Sequence, residues 1–439
     1  MKVGAPSVAT LFLTASAALA NPNIPAPPQS EPILITNAVI HTVSGATIEN
    51  GRMLFDGGRI QAIAGPSESI ATPARVIDVG GKHVYPGMIS AQSVLGLVEI
   101  DAVRATIDTT EPGLVNPNVR ADVAVNPDSE LIPVTRANGV LAALTVPQAG
   151  SGSVIVGQSA VIALDGWTIE DMTIKAPAGL HVVWPQMRFA DDLPDERKKE
   201  LEKTRDERLR AIEESFEAAR AYRLLPAADR PFEVDLRWES MQPVLEGNMP
   251  VFAHVQDLLQ IRHALHIADE YGLRMILVGA ADAWRVADLL AEKRIPVIVG
   301  AVQRLPLRAW EDYSTPFQNA AKLQAAGVLF AIATGGDSNS APNERNLPYE
   351  AAKAVAHGLP HDEALKAVTL YPAQILGVAD RLGSLESGKD ATFIVTDGDP
   401  LEITTHVERA FILGRELDLT TRQTVLYEKY RERLRQRGH

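Results

Sequence analysis

Two side chains in this sequence stand where an apolar run ends and could act together on a chemical bond. His254 closes the run PVFAH, and Asp337 lies in ATGGDS, directly after another apolar run. An imidazole and a carboxylate within hydrogen-bonding reach can perform acid–base chemistry without a metal, and both groups are also metal ligands. Each residue has a structural interpretation as well: His254 as a satisfied core histidine, and Asp337 as the N-cap of a helix.

Several other chemistries have no support in the chain. There is no cysteine, no Gly-x-Ser-x-Gly elbow, no His-Glu-x-x-His helix, and no Gly-x-Gly-x-x-Gly stretch that follows a strand and opens a helix. The formal net charge is -13, and an acidic surface repels phosphate backbones, so we expect no nucleic-acid partner. The expected partner is a small-molecule substrate, and a homodimer or a heteromer with a paralogue stays open.

The elements that must position these side chains alternate between strands and helices. Continuous apolar runs of strand length are typical of strands buried on both faces, as in a parallel barrel. Helical patterns separate them, for example at 257–271 and 281–293. The sequence therefore predicts an α/β fold with a TIM-type β/α barrel. The clearest predicted strands are 140–146, 180–183, 251–254, 275–278, 296–299 and 328–333.

The remaining segments give a domain plan. Short β-prone runs separated by turn signals occur near both ends of the chain, at 33–84 and 385–420, and we expect them to form one small β-sandwich beside a barrel at 85–384. A strongly charged helical stretch at 190–225 is predicted to be a solvated surface insertion. Residues 421–439 predict an exposed C-terminal helix.

The first residues have the layout of a secretory signal. Met1-Lys2 is followed by an apolar run and by Ala18-Leu19-Ala20, a small-x-small cleavage site, which predicts a signal peptide over 1–20. The apolar run is shorter than the roughly 20 residues of a spanning helix, which disfavours a membrane anchor. A proline-rich linker at 21–32 follows. We therefore expect a secreted, periplasmic protein with no membrane span after cleavage.

Three segments together resemble the amidohydrolase superfamily, most closely its imidazolonepropionase-like branch. The resemblance implies a hydrolase acting on carbon–nitrogen bonds, with its site at the C-terminal ends of the barrel strands. The three segments are VIDVGGKHVYPGMISAQSV at 76–94, the region 249–290 that contains PVFAHVQD, and the region 332–414 that contains ATGGDS and RLGSLESGKDATFIVTDGDPL.

Most of the positions that hold metal in this family carry other residues here. Gln92 and Val94 occupy the places of the two histidines on the first strand, and Gly279 that of the strand-six histidine. His254 matches the strand-five histidine, and Asp337 matches the strand-eight aspartate, which in the family binds metal and moves the proton of the attacking water. Catalytic zinc usually has three protein ligands. The resemblance thus leaves open one weakly held divalent metal, zinc, on His254 and Asp337.

Four side chains are predicted to contact the substrate. Gln92 ends the first barrel strand, and His181, in GLHVVWP, stands where the fourth strand should end. Relatives often carry a lysine at the position of His181, so the resemblance implies a change that keeps a nitrogen ligand. Trp184 could wall a pocket or pack in the core. Arg304, just past the seventh strand, could meet an anionic group of the substrate or form a surface salt bridge.

Three functions stay open from the sequence. The first is a hydrolase of small amides, cyclic amides or dipeptide-like substrates, in which Asp337 assists the attacking water. The second is a metal-free, catalytically degenerate relative that binds a small molecule or partners an active paralogue. The third is metal-independent acid–base chemistry by Asp337 and His254, which requires the two side chains to be in hydrogen-bonding reach.

Overall fold

The structure is a computed structural model that describes residues 23–68, 70, 72–224 and 234–438. The predicted signal peptide lies outside the described residues. Within those ranges, no helix is both long enough and apolar enough to cross a bilayer.

Strands occur in three groups along the chain. The first group is β1 (Ile33–Ile40), β2 (Ile48–Asp56), β3 (Arg59–Ala64), β4 (Arg75–Asp78) and β5 (His83–Pro86). The second group is β6 (Met88–Ser93), β7 (Val140–Thr145), β8 (Ile155–Ala163), β9 (Thr173–Val183), β10 (Val251–Val255), β11 (Met275–Gly279), β12 (Val297–Val299) and β13 (Phe330–Ile332). The third group is β14 (Phe393–Thr396), β15 (Val407–Ile412) and β16 (Arg415–Glu416).

The second group forms the barrel. Its eight strands pair in the order β13-β12-β11-β10-β9-β8-β7-β6, and β13 lies beside β6, so the sheet nearly closes. The expected α/β barrel is thereby confirmed, but not as an all-parallel sheet, because β8 runs antiparallel to both β7 and β9. The segment between β8 and β9 is shorter than the connection of about a dozen or more residues that two parallel neighbouring strands need. The two strands therefore pair antiparallel.

Helices pack around the barrel and fill its connections. The 257–271 prediction matches α5, whereas the 281–293 prediction is split between a 3-10 helix at Ala283–Val286 and the short helix α6. The α-helices are α1 (Leu131–Arg136), α2 (Ile169–Met172), α3 (Asp195–Leu224), α4 (Leu236–Leu245), α5 (Leu258–Tyr271), α6 (Ala287–Glu292), α7 (Thr315–Ala325), α8 (Leu347–Val355), α9 (His361–Ala367), α10 (Leu370–Leu376) and α11 (Arg422–Gln436). Further 3-10 helices lie at Arg104–Thr106, Asp122–Ala124 and Ala341–Asn346.

The barrel encloses one apolar cluster and is wrapped by a second. The inner cluster takes side chains from all eight strands, Phe252 of β10 among them, while Val251, Ala253 and Val255 of the same strand join the outer layer under the helices. Side chains alternate along a strand, so the side chain of His254 projects to the same side as that of Phe252. The His254 imidazole therefore follows the apolar interior of the barrel at the C-terminal end of β10.

The charged insertion is less solvated than its composition predicts. Helix α3 buries one face near its C-terminal end, with Ile212 and Phe216 fully inaccessible, and it packs on α4. The Phe216 ring lies 5.5 Å from the Tyr271 ring of α5. The expected surface insertion is therefore anchored in the core by a few apolar residues that the surrounding charges obscure in the sequence.

The two chain ends build a second sheet beside the barrel. Its strands pair in the order β16-β15-β14-β5-β1-β2-β3, with β4 on β1, so the C-terminal strands join the N-terminal strands where β14 pairs with β5. Phe55, Phe393 and Phe411 form its aromatic core, with centroid distances of 4.5 to 5.5 Å. The described part of the proline-rich segment lies against this sheet, since Gln29 bonds the backbone of Phe55 and Gly58.

Candidate functional site

A pair of histidines marks the mouth of the barrel. His254 Nε2 lies 2.8 Å from His181 Nδ1, and the two residues belong to the adjacent parallel strands β10 and β9. His181 stands directly beside Phe252 in the strand register and stacks on its ring at 4.6 Å, with the ring planes 2° apart. The strand register and this stacking therefore fix the orientation of both imidazoles.

Burial keeps both imidazoles neutral. It lowers the pKa of His254 from 6.5 to about 4. Burial, and then the neighbouring His254, lower the pKa of His181 well below its ordinary value. At neutral pH the pair therefore shares one hydrogen bond between two uncharged rings, and each ring carries a single N–H.

The surroundings of His181 indicate which ring donates. His181 is fully buried, and its Nε2 has no partner among the described residues. A buried N–H without an acceptor is rarer in proteins than an unpaired acceptor, which assigns the proton of His181 to Nδ1. His181 then donates to His254 Nε2. His254, which is partly exposed, carries its own proton on Nδ1 and can donate a hydrogen bond to a bound molecule.

Asp337 does not form a dyad with His254. Its side chain is exposed, and its Oδ1 accepts a hydrogen bond from the Ser340 backbone N–H at 2.8 Å. Gly335 and Gly336, with φ of 134° and 73°, turn the chain just before it. Asp337 thus caps a turn, whereas the N-cap of the 3-10 helix that follows is Ser340. Because no hydrogen bond joins these two described side chains, the direct acid–base pair is not formed.

None of the three family ligand positions on the first and sixth strands carries a strong zinc donor, since they hold Gln92, Val94 and Gly279. Val94 is fully buried in the apolar layer outside the barrel, and Gln92 is packed against Gly336. Gly279 has φ of 84°, and a Cβ on it would lie 2.4 Å from Gln256 Nε2. A side chain at position 279 would therefore meet both backbone strain and a close contact.

Trp184 and Arg304 differ in what they contribute. The Trp184 side chain is buried in the outer layer, and its Nε1 donates to His263 Nδ1 of α5 at 3.0 Å, so it packs in the core. Arg304 lies in the loop after β12, where its guanidinium donates to the Leu305 carbonyl. Burial lowers the pKa of Arg304, and the residue stays a candidate for substrate contact.

The sequence pattern did not single out Glu344, which is fully buried in the 3-10 helix after β13. Ser90 of β6 donates to its Oε2 at 2.7 Å. Burial raises the pKa of Glu344 to about 7, although the hydroxyls of Ser90, Thr334 and Ser93 act to lower it. No periodicity in NERNLPYEA marks this residue, because its 3-10 helix is covered by α1, α8 and β6, and α1 and β6 are distant in the sequence.

The donor set does not fit the metal that the family resemblance implies. Within the described ranges, no group of three or more His, Cys, Asp or Glu side chains could hold a metal ion. The imidazole nitrogens of His181 and His254 that face each other already share a hydrogen bond, and Asp337 is engaged in its own turn. Tight catalytic zinc usually needs three protein ligands.

Comparison with known proteins places this chain in a family. Residues 110–416, more than half of the chain, match the sequence model of the amidohydrolase family. Among solved structures, an amidohydrolase from Thermotoga maritima MSB8 is 29% identical, with a TM-score of 0.76 over 88% of this chain and 99% of that chain.

Curated relatives support the same family, although the match covers less than half of their own length. Amidohydrolase tasK of Hapsidospora irregularis is 25% identical over 85% of this chain and 42% of that protein. An imidazolonepropionase of Maricaulis maris is 27% identical over 39% of this chain and 41% of that protein. The chain thus spans less than half the length of these curated relatives. The resemblance inferred from the motifs is confirmed.

Proposed function

Because the chain belongs to the amidohydrolase family, we propose that it is a hydrolase that cleaves a carbon–nitrogen bond of a small amide, cyclic amide or dipeptide-like substrate. The observation that carries the proposal is the neutral His181–His254 pair at the end of β9 and β10, with its 2.8 Å hydrogen bond. Active sites of β/α barrels lie at this face.

The chemistry proposed for His254 is hydrogen-bond donation. With His181 donating to its Nε2, His254 presents a fixed Nδ1–H to the carbonyl oxygen of the scissile group. A neutral donor aimed at the oxygen that becomes negative stabilises the tetrahedral intermediate more than the substrate. The lowered pKa keeps His254 in this form across the neutral range.

The attacking water needs a base, and Asp337 is the proposed one. Only its Oδ1 is engaged in the turn, which leaves Oδ2 for the water. The water oxygen bonds to the carbonyl carbon as Asp337 takes a proton. The C–N bond then breaks, and the protonated Asp337 returns that proton to the leaving nitrogen. No step passes through a metal.

The test is a substrate screen with paired variants. Purified protein is incubated with N-acyl amino acids, lactams and dipeptides, and amine release is followed by mass spectrometry. We expect His254→Ala to lower kcat by about 10²-fold or more, as for loss of one oxyanion donor. His266→Ala, which removes an exposed histidine of α5, is the control and should leave kcat unchanged.

Two outcomes would overturn the assignment. Equal kcat in His254→Ala and the wild type would remove the role of the histidine pair. Binding of a compound without turnover, with or without added zinc or manganese, would favour the metal-free binding protein instead. The replaced ligand positions Gln92, Val94 and Gly279 are the observation behind this second candidate.

A further inference from the structure

Oxygen atoms without partners gather at the seam where β6 meets β13. Glu344 Oε1, Thr334 Oγ1 and Gln92 Oε1 are each buried, and none has a hydrogen-bond partner in good geometry within the described part of the chain. The three side chains are 0%, 8% and 8% exposed, respectively. Buried polar atoms nearly always have a hydrogen-bond partner. These three oxygens therefore indicate that a further donor or a positive charge binds at the seam.

These residues come from segments that are pressed together. The Thr334 hydroxyl acts on the Glu344 carboxyl, and Gln92 lies against Gly336, two residues after Thr334. Ser90 connects the segments of Glu344 and Gln92, since its hydroxyl contacts both Glu344 Oε2 and the backbone carbonyl oxygen of Gln92. The seam is therefore lined by a carboxylate, a carboxamide oxygen and hydroxyls.

The charge at the seam is uncompensated. Glu344 forms no salt bridge with any described Lys or Arg, and the charge that acts on its carboxyl is the negative one of Asp337. A water molecule can donate two hydrogen bonds but carries no charge, and a buried carboxylate without a counter-ion is destabilising. A cation would satisfy the oxygens and balance the charge together.

We propose that Glu344 Oε1, Thr334 Oγ1 and Gln92 Oε1 bind a monovalent alkali cation, sodium or potassium. Oxygen donors suit hard cations, whereas zinc prefers imidazole and thiolate. The single buried carboxylate matches a single positive charge. The cation would hold the first and last barrel strands together, and the site is independent of the proposed hydrolase function.

The test measures thermal stability in different chlorides at one ionic strength. Unfolding is followed at about pH 8.5, above the pKa of Glu344. The salts are sodium, potassium or tetramethylammonium chloride at about 100 mM, or calcium chloride at about 33 mM, which has the same ionic strength. A site that is saturated under these conditions should raise Tm by about 2 °C or more in sodium or potassium relative to tetramethylammonium. Glu344→Gln should abolish this difference.

A second buried glutamate supplies the control. Glu350 accepts hydrogen bonds from the backbone N–H groups of Val302 and Gln303, so Glu350→Gln should keep the sodium or potassium effect. Equal Tm of the wild type in all chlorides, or stabilisation by calcium alone, would overturn the proposal. If Glu344→Gln does not fold, crystals of the wild type soaked in thallium(I) decide: an anomalous peak beside Glu344 supports the site, and its absence refutes it.

Discussion

At the scale of single residues, two groups near the barrel mouth respond to pH in opposite directions. His181 and His254 have lowered pKa values, and Glu344 has a raised one. Between about pH 4 and 6.5, unfolded histidines bind protons that the folded pair does not, so acidification destabilises the fold. Folded Glu344 gains its proton near pH 7 and an unfolded glutamate near 4.5, so acidification favours the fold through this residue.

Removing Glu344 should therefore expose the effect of the histidines. We expect Glu344→Gln to lose more stability than the wild type between about pH 7.5 and 5, by about 1–3 kcal/mol. Urea unfolding at both pH values in tetramethylammonium chloride measures this without interference from cation binding. Glu214→Gln, an exposed change on α3, should follow the wild type. Equal pH dependence in Glu344→Gln and the wild type would contradict the raised pKa.

The sequence identified some of these residues but not their partners. His181 and His254 were both named from their positions at predicted strand ends, yet their mutual hydrogen bond depends on the register of β9 against β10, which a periodicity cannot supply. The sequence predicts Asp337 as a base or as the N-cap of a helix, and in the structure its side chain caps a turn. Glu344 was missed because α1 and β6, which are distant in the sequence, help to bury it and no local pattern marks it.

At the scale of elements, Gly279 indicates how much a ligand side chain on the sixth barrel strand would destabilise the fold. Gly279→Ala should destabilise the protein more than Gly247→Ala, because both positions have positive φ but only position 279 is crowded. Around Gly247, nothing lies within 4 Å of the added Cβ. We expect a loss of about 1 kcal/mol at 247 and a further 1–3 kcal/mol at 279.

Urea denaturation of the two variants measures the difference, since the shared backbone strain cancels between them. Equal losses would mean that Gln256 moves aside without penalty, and position 279 could then accept a histidine. Gln256→Ala in the Gly279→Ala background should recover the part of the loss that comes from the close contact and leave the part that comes from φ.

Element type was more predictable than element direction. The apolar runs at 251–254 and 275–278 became β10 and β11, because strands buried on both faces leave a strong apolar signal. Strand β8 was not among the predicted runs, and its antiparallel direction follows from a short connection to β9. The apolar face of α3 was not predicted, because its few buried residues lie among many charged ones in the sequence.

At the scale of the whole molecule, the two chain ends contribute unequally to folding. Strand β15 places Phe411, which is fully buried, against Phe55 and Phe393 of the second sheet. Helix α11, in contrast, has no buried residue. Stability comes mainly from buried apolar area, so the fold should depend on the returning strands and not on the last helix.

A chain that stops after Thr421 should therefore unfold within about 1 °C of the Tm of the full chain, because the lost helix takes no side chain from the core. A chain that stops before β15 should lose cooperative unfolding. Removal of a buried phenylalanine alone destabilises a protein by about 3–5 kcal/mol, and this truncation also removes the strand that pairs with β14. Differential scanning calorimetry of both truncations makes the comparison. A large fall in Tm for the first would show that α11 packs on a surface of the molecule or of a second copy, and size-exclusion chromatography of the full chain would separate these two cases.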